Sequence, residues 1–252
     1  MSEANALDAY IKSILPDLIV QLSAMGGKAS GDRIKRIICP SCNEPEAWTT
    51  VADPSTIHCN RKNNCGVSTH VKDFAPHLWS NWAKRHPATD DDPNATARNY
   101  LLGRGLDISK FKFEQTTHRQ RGFKPVPAVA IECSWTSRRW LRLIDVPKGI
   151  EGKTRWEKGE GDAYQGHAWI NRNQVDPDNE LWFTEGIFNT LSLEQVGIQS
   201  ASTFSSSHVP TKFLEGLAKT QPIVVALDSD NAGQKGTVTL IEALKANGFT
   251  NI

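Results

Sequence analysis

The sequence predicts an α+β protein with more than one domain, and chain length, charge distribution and hydrophobic pattern lead to this prediction. The 252 residues suffice for two or three small domains. The formal net charge is +1, yet residues 98–158 carry 14 basic and six acidic side chains. Residues 181–252 carry four lysines, six acids and no arginine. A basic middle segment in a nearly neutral chain indicates a polyanionic partner.

The composition excludes several classes of protein. Hydrophobic residues make up 38% and charged residues 23%, close to ordinary globular values, which excludes wholesale disorder. No run of about 18 apolar residues is present, and the first ten residues lack the basic and apolar regions of a signal peptide. We therefore expect a cytoplasmic protein with no membrane partner.

Residues 1–86 are predicted to combine an N-terminal helix with a cysteine-bearing segment. Apolar residues recur at helical spacing over residues 5–25, and Pro16 is expected to begin a second helix there. Residues 37–74 are predicted to form short strands and turns. Residues 87–96 contain two prolines and three consecutive aspartates, which predict a linker.

Four of the five cysteines lie within 27 residues. They are Cys39, Cys42, Cys59 and Cys65. The first two form a CxxC turn that can present two thiolates to one tetrahedral zinc ion, and two such pairs make a zinc ribbon. The second pair is more widely spaced, so His58 and His70 are alternative ligands. We predict a structural Zn²⁺ held by the four thiolates, and a buried thiol without a role at Cys133.

Residues 97–180 are predicted to form a basic segment of mixed α/β structure. Strands are expected at Val126–Glu132 and Trp140–Val146, separated by a polar turn with the sequence SWTSR. Basic side chains here can neutralise phosphates, and tryptophans such as Trp135 and Trp156 can stack on unpaired bases. The candidate nucleic-acid or nucleotide ligands are Arg138, Arg139, Arg142, Lys153, Arg155 and Lys158.

Residues 181–252 alternate strands and helices, as in an α/β domain with a partly parallel sheet. Glu185 follows the first predicted strand, and Asp228 and Asp230 follow the continuous apolar strand Ile223–Leu227. Open α/β sheets place their sites at the carboxyl ends of parallel strands. Carboxylate oxygens suit Mg²⁺, which can assist phosphoryl transfer. The pattern predicts a metal site at this edge.

The segments TEGIFNTLSLEQVGI and ALDSDNAGQKG resemble the TOPRIM domain of DNA primases. The order of ribbon, basic segment and α/β domain over residues 37–252 resembles primases of bacteria, phages and mobile elements. This resemblance implies a Rossmann-like TOPRIM fold in which Glu185, Asp228 and Asp230 are catalytic and bind Mg²⁺ or Mn²⁺. It also implies synthesis of short RNA primers from nucleoside triphosphates on a single-stranded DNA template. A replicative helicase, fused after residue 252 as in phage primase-helicases, is the expected partner.

Three features depart from the family pattern. Asn189 stands where many members have an aspartate, and residues 202–208 stand where many have a glycine-containing loop. A further acidic position of the family would fall beyond Ile252. We therefore expect the TOPRIM domain to be incomplete at its C-terminus and the chain to be the N-terminal part of a larger replication protein.

Other functions remain open at this point. A TOPRIM nuclease would share the acidic pattern, whereas a topoisomerase needs a tyrosine nucleophile. The three tyrosines are Tyr10, Tyr100 and Tyr164, none in a recognisable setting. A non-catalytic nucleic-acid-binding or recruitment module would agree with Asn189 and the missing acidic position. A zinc adaptor alone would leave the acids unexplained.

Overall fold

The structure is a computed structural model that describes the backbone of residues 3–252 and the side chains from residue 7 onward. The chain divides into two compact units, Leu7–Gly103 and Arg104–Ile252. The predicted linker 87–96 lies inside the first unit. The finer division into 97–180 and 181–252 stays a prediction. Within the part of the chain described, every helix is too short or too polar to cross a bilayer.

The first unit contains an antiparallel sheet of five strands whose order follows the chain. Its strands are β1 (Lys28–Ser30), β2 (Arg33–Ile37), β3 (Ala47–Thr50), β4 (Thr56–Cys59) and β5 (Ser68–His70). Its helices are α1 (Glu3–Ser13, which begins before the unit), α2 (Leu15–Ala24), α3 (Val71–Phe74), α4 (Trp82–Arg85) and α5 (Ala95–Leu102), with a 3-10 turn at Pro76–Trp79. The prediction for Pro16 is confirmed, because α2 carries it in its first turn.

Tyr10 is at the centre of the helical packing in this unit. Its side chain is fully buried, and its ring meets Trp79 and Trp82 at centroid distances of 5.3 and 5.1 Å. The hydroxyl donates to the Leu78 carbonyl at 2.5 Å and accepts from Arg85 at 3.0 Å. Burial raises the pKa of Tyr10. A phenol enclosed in this way cannot reach a DNA phosphate, which removes the first candidate nucleophile of the topoisomerase alternative.

The second unit contains two sheets. An antiparallel sheet has the order β6-β7-β8-β9, and a parallel sheet has the order β11-β10-β12. The strands are β6 (Glu114–His118), β7 (Val126–Cys133), β8 (Thr136–Leu143), β9 (Thr154–Trp156), β10 (Leu181–Thr184), β11 (Ser200–Ser202) and β12 (Ile223–Val225). The helices are α6 (Ile187–Gln195), α7 (Thr211–Glu215) and α8 (Asn231–Ala246). The predicted parallel sheet and the α/β character of residues 181–252 are confirmed.

The strand β8 begins earlier than the sequence predicts. Cys133 pairs with Thr136 across the hairpin, so the connection is shorter than the predicted SWTSR turn. The first residues of that segment make the turn and the rest extend the strand. As predicted, the Cys133 thiol is buried, and burial raises its pKa to about 12. It is therefore uncharged and unreactive at neutral pH.

The core of the α/β part lies on the parallel sheet. Leu181 and Phe183 of the central strand β10 are fully buried, and Leu240 and Leu244 of α8 belong to the same apolar cluster. Each such side chain stabilises the fold by about 1.5–3 kcal/mol through burial. Because β10 pairs with a parallel strand on each side, the loops after β10 and β12 leave the sheet at the same edge.

Candidate metal centres and nucleotide site

The four predicted zinc ligands form one cluster in the structure. The sulfur atoms of Cys39, Cys42, Cys59 and Cys65 all lie within 4.8 Å of one another. The Cys39–Cys65 and Cys42–Cys59 Sγ distances are both 3.8 Å. A tetrahedral zinc ion with Zn–S bonds of about 2.3 Å places its sulfurs about 3.8 Å apart. The four thiols therefore have the geometry to hold Zn²⁺.

Two backbone turns orient the cysteine side chains toward a common centre. The Asn43 amide bonds the Cys39 carbonyl at 2.8 Å, which closes the CxxC turn. The Cys65 amide bonds the Arg61 carbonyl at 2.7 Å, and Gly66 then adopts a φ of 60°, a conformation that glycine takes without steric cost. The wide second pair therefore closes through a turn of its own.

The two alternative histidine ligands have other partners. The Nδ1 atom of His58 hydrogen-bonds the Ser68 hydroxyl at 2.8 Å. The Nδ1 atom of His70 accepts from the Lys72 amide at 3.2 Å and caps the short helix α3. The metal-ligand cluster thus consists of cysteines, and the alternative with a histidine ligand has no support.

The carboxylates after β10 and β12 border one cavity of about 230 Å³. Glu185 and Asp228 line it, as does Asn189, whose amide donates to the Asp228 carboxylate at 3.3 Å. Asp230 instead caps α8 by accepting from the Gly233 amide at 2.8 Å. The sequence prediction that these loops converge follows from parallel pairing of β10 with β12, and the structure has that pairing.

The electrostatics of this cavity favour a cation. Burial raises the pKa of Glu185, and the negative charges of Asp228 and Asp230 raise it further. Among the described residues, only the cysteines form a group of ligand atoms within 4.8 Å of one another, so the carboxylates are more widely spaced. Mg²⁺ commonly keeps several waters and uses one or two carboxylates, and the donor set here fits a hydrated ion of that kind.

The six basic candidates occupy different settings. Arg142 lines the acidic cavity. Arg139 lies between Glu157 at 2.7 Å and Glu114 at 2.5 Å, and Glu157 in particular raises its pKa. Arg138 donates to two backbone carbonyls in the segment after β9. Arg155 donates to the backbone carbonyl of its neighbour in β9 and to one in the loop before β9. Lys153 and Lys158 are exposed.

Two residues outside the predicted site also line the acidic cavity. They are Arg104 and Phe204. The guanidinium groups of Arg104 and Arg142 lie 5.3 and 5.7 Å from the ring centroid of Phe188, the residue before Asn189. Arg104 is one of the 14 basic residues between positions 98 and 158, so its charge was a signal. Nothing in the sequence predicted a role for Phe204 in the site, because an aromatic residue in a loop is usually assigned to the hydrophobic core.

A glycine in the first turn of α8 sets the position of the Asp228 loop. A Cβ atom added at Gly233 would overlap the carbonyl oxygen of Asp228. We expect Gly233→Ala to displace that loop and to lower the free energy of unfolding by about 1–3 kcal/mol, the usual cost of overpacking. Urea unfolding of this variant beside Lys235→Ala, at an exposed position of the same helix, measures the effect. Equal stability of the two variants would contradict the tight contact.

Parts of this chain are similar to known proteins. Residues 182–252 match a family model described as Toprim-like. A DNA primase of Mycoplasma pneumoniae is 27% identical over 135 residues, which cover 46% of this chain and 22% of that protein. The zinc-binding and RNA polymerase domains of the Aquifex aeolicus primase form a similar solved structure, with a TM-score of 0.49 and 16% identity. That similarity covers 96% of this chain and 77% of the other.

The C-terminal α/β part is therefore a Toprim-like domain, as the resemblance in the sequence predicted. The mixed α/β fold with a four-cysteine cluster is confirmed as well. The aligned part is less than a quarter of the curated relative's length, at 22%. The phage primase-helicase type, the helicase partner and the cytoplasmic location stay predictions.

Proposed function

We propose that this chain is the primase part of a larger replication protein and makes short RNA primers on single-stranded DNA. The observation that carries the proposal is the cavity in which Glu185 and Asp228 meet Arg104 and Arg142 within the unit that holds the Toprim-like domain. Paired carboxylates and arginines at one cavity suit a reaction on a nucleoside triphosphate, because the acids attract a cation and the arginines attract phosphate oxygens.

Glu185, Asp228 and Asp230 are the proposed ligands of Mg²⁺ or Mn²⁺. When bound, the ion would neutralise charge that develops on the phosphate oxygens during nucleotidyl transfer. The Asn189 amide holds the Asp228 carboxylate by a hydrogen bond and so preserves its orientation. An amide in place of an aspartate can therefore position a ligand without adding a fourth negative charge.

The arginines are the proposed phosphate ligands. Arg142 extends from β8 and Arg104 precedes the segment leading to β6, and both are placed beside Phe188. Guanidinium groups bind phosphate oxygens through paired hydrogen bonds. The exposed Lys153 and Lys158 extend the positive surface of the basic segment, where they would contact template phosphates in a salt-dependent manner.

The unit with the cysteine cluster is the proposed template-holding part. A structural Zn²⁺ would hold its sheet together. On that sheet the Arg33 guanidinium lies 4.4 Å from the ring centroid of Trp48, and Trp48 packs against His58 at 5.1 Å. Arg33 is exposed and both rings are partly exposed, a combination that suits the bases and phosphates of single-stranded DNA.

Primer synthesis by the full-length protein tests the proposed function. The protein is incubated with single-stranded DNA, labelled nucleoside triphosphates and either Mg²⁺ or Mn²⁺, and we expect short RNA products that EDTA abolishes. Absence of any product with either ion would overturn the proposal. Metal-dependent cleavage of the DNA would instead identify a nuclease.

The departure at Asn189 favours one second candidate, a non-catalytic nucleic-acid-binding module that keeps the fold. The two candidates differ in what happens when the acids are removed. DNA binding that survives Glu185→Ala and Asp228→Ala, in a protein that makes no primer, would support the second candidate. Loss of synthesis in the same variants of an active protein would support the first.

A further inference from the structure

Phe204 has an unusual backbone conformation for a large side chain. Its φ is +67°, in the left-handed region that bulky L-residues rarely adopt. Hydrogen bonds maintain it, because the Phe204 amide donates to the Ser202 hydroxyl at 3.1 Å and the Thr203 hydroxyl donates to the Ser205 carbonyl at 3.0 Å. Strained residues of this kind persist where the surroundings hold them, and they concentrate at functional sites.

The ring of Phe204 lies between an aromatic cluster and the acidic cavity. Its centroid is 5.3 Å from that of Trp156 and 5.9 Å from those of Tyr164 and Trp135. The rings of Trp156 and Tyr164 are nearly parallel, with an interplanar angle of 17°. All four rings are partly exposed, and Phe204 lines the cavity together with Glu185 and Asp228.

The loop that carries Phe204 is hydrogen-bonded to the segment that carries Glu185. The Ser202 hydroxyl, two residues before Phe204, donates to the backbone carbonyl of Glu185 at 3.2 Å. On its other side this loop touches α8 at Gly236, where an added Cβ would overlap the Ser206 carbonyl oxygen. These contacts on both sides of the loop therefore hold the Phe204 ring in place beside the acidic cavity.

We propose that Phe204 is the stacking platform for a nucleobase beside the acidic site, supported from behind by Trp156 and Tyr164. The inference rests on the proposed function, which makes nucleotides the substrate. An aromatic face suits a base, while Arg104 and Arg142 in the same cavity suit its phosphates. The base can come from the incoming nucleoside triphosphate or from the template strand, since both present the same stacking surface.

The substitution Phe204→Gly separates stacking from folding. Glycine adopts a positive φ at no steric cost, so the variant removes the ring and relieves the strained backbone. We expect the variant to stay folded, because the relief of backbone strain offsets part of the packing that the ring loses, and a cooperative melting transition checks this. Phe204→Tyr keeps an aromatic face and is the conservative variant. Phe113→Gly is the matched control, because Phe113 is also partly exposed but does not line the acidic cavity.

Binding to the full chain is measured in two separate arms. The first arm uses ATP and Mg²⁺ in the absence of DNA. The second arm uses an oligothymidylate in the absence of nucleotide. We expect Phe204→Gly to weaken binding about 5- to 100-fold in at least one arm, which corresponds to loss of one base–aromatic stack. Phe204→Tyr should restore native affinity, and Phe113→Gly should leave it unchanged. A loss in the ATP arm assigns the platform to the incoming base, and a loss in the oligonucleotide arm assigns it to the template.

Unchanged affinity of Phe204→Gly in both arms would overturn the inference, as would equal losses in Phe113→Gly. Failure of the proposed function is a separate result. If the native protein makes no primer but Phe204→Gly still loses affinity, the stacking role of Phe204 is supported and the primase function is rejected. If primers are made and the variant binds as the native chain does, only the stacking role of Phe204 is rejected.

Discussion

Glu185→Gln is expected to reduce primer synthesis by about 100- to 1,000-fold, the usual cost of removing one group that stabilises transition-state charge. The glutamine keeps the shape of the side chain and removes the negative charge proposed to hold the metal ion. The rate of labelled primer formation at saturating nucleotide and Mg²⁺ measures the effect. Residual activity above one tenth of the native rate would contradict a direct role for this carboxylate.

The same substitution should have the opposite effect on stability in metal-free buffer. Burial and the charges of Asp228 and Asp230 raise the pKa of Glu185 in the folded state. The ionised carboxylate therefore destabilises the folded protein, and this penalty grows as pH rises through the range above the ordinary carboxyl pKa. We expect the melting temperature of Glu185→Gln to equal that of the native chain near pH 4 and to exceed it at pH 7.

Glu215→Gln is the matched control for both measurements. Glu215 is an exposed glutamate at the end of α7 in the same unit, and it does not line the acidic cavity. Its substitution should change neither the rate of synthesis nor the pH dependence of melting. A fall in synthesis in this variant would mean that general charge, rather than the position of Glu185, governs the activity.

Cys42→Ser is expected to remove zinc and to unfold the sheet of the first unit. The four sulfur atoms are spaced for one tetrahedral ion, and structural zinc sites contribute an apparent binding free energy of about 10–16 kcal/mol. Elemental analysis should find one zinc per native chain and much less in the variant. The near-UV circular dichroism, to which Trp48 on this sheet contributes, should fall with it.

Cys133→Ala is the control for the zinc prediction, because it removes a cysteine that is not expected to bind the metal. Its thiol is buried in β7 and outside the four-cysteine cluster. Zinc content should stay at one per chain in this variant. Stoichiometric zinc in Cys42→Ser would exclude that cysteine as a ligand, and zinc loss in Cys133→Ala would indicate that the metal is held elsewhere.

The cysteine cluster and the carboxylate loops could be predicted because each depends on a short-range rule. A CxxC turn brings Cys39 and Cys42 to one point within four residues. Glu185 and Asp228 converge because parallel strands end at the same edge of a sheet. Each inference also needed one long-range contact, between the two cysteine turns in the first case and between β10 and β12 in the second.

The setting of the basic residues could not be predicted in the same way. Arg139 and Arg142 are three residues apart in the sequence and both lie on β8. Arg139 is bound by Glu114 at the start of β6 and by Glu157 just after β9, whereas Arg142 lines the acidic cavity. Strand register decided that Arg139 meets two glutamates and that Arg142 borders the acidic site, and composition carries no information about register.

The sequence by itself determined which kind of metal ion suits each of the two predicted metal sites. The thiols suit a soft tetrahedral ion, and the carboxylates suit a hard ion. It did so because metal preference is a property of the ligand atoms and their local spacing. Only the tertiary structure decided that Arg104, from far upstream of the carboxylates, and the ring of Phe204, from the loop after β11, line their cavity. Such a juxtaposition arises from long-range packing of loops against a sheet, and no local pattern in the chain encodes it.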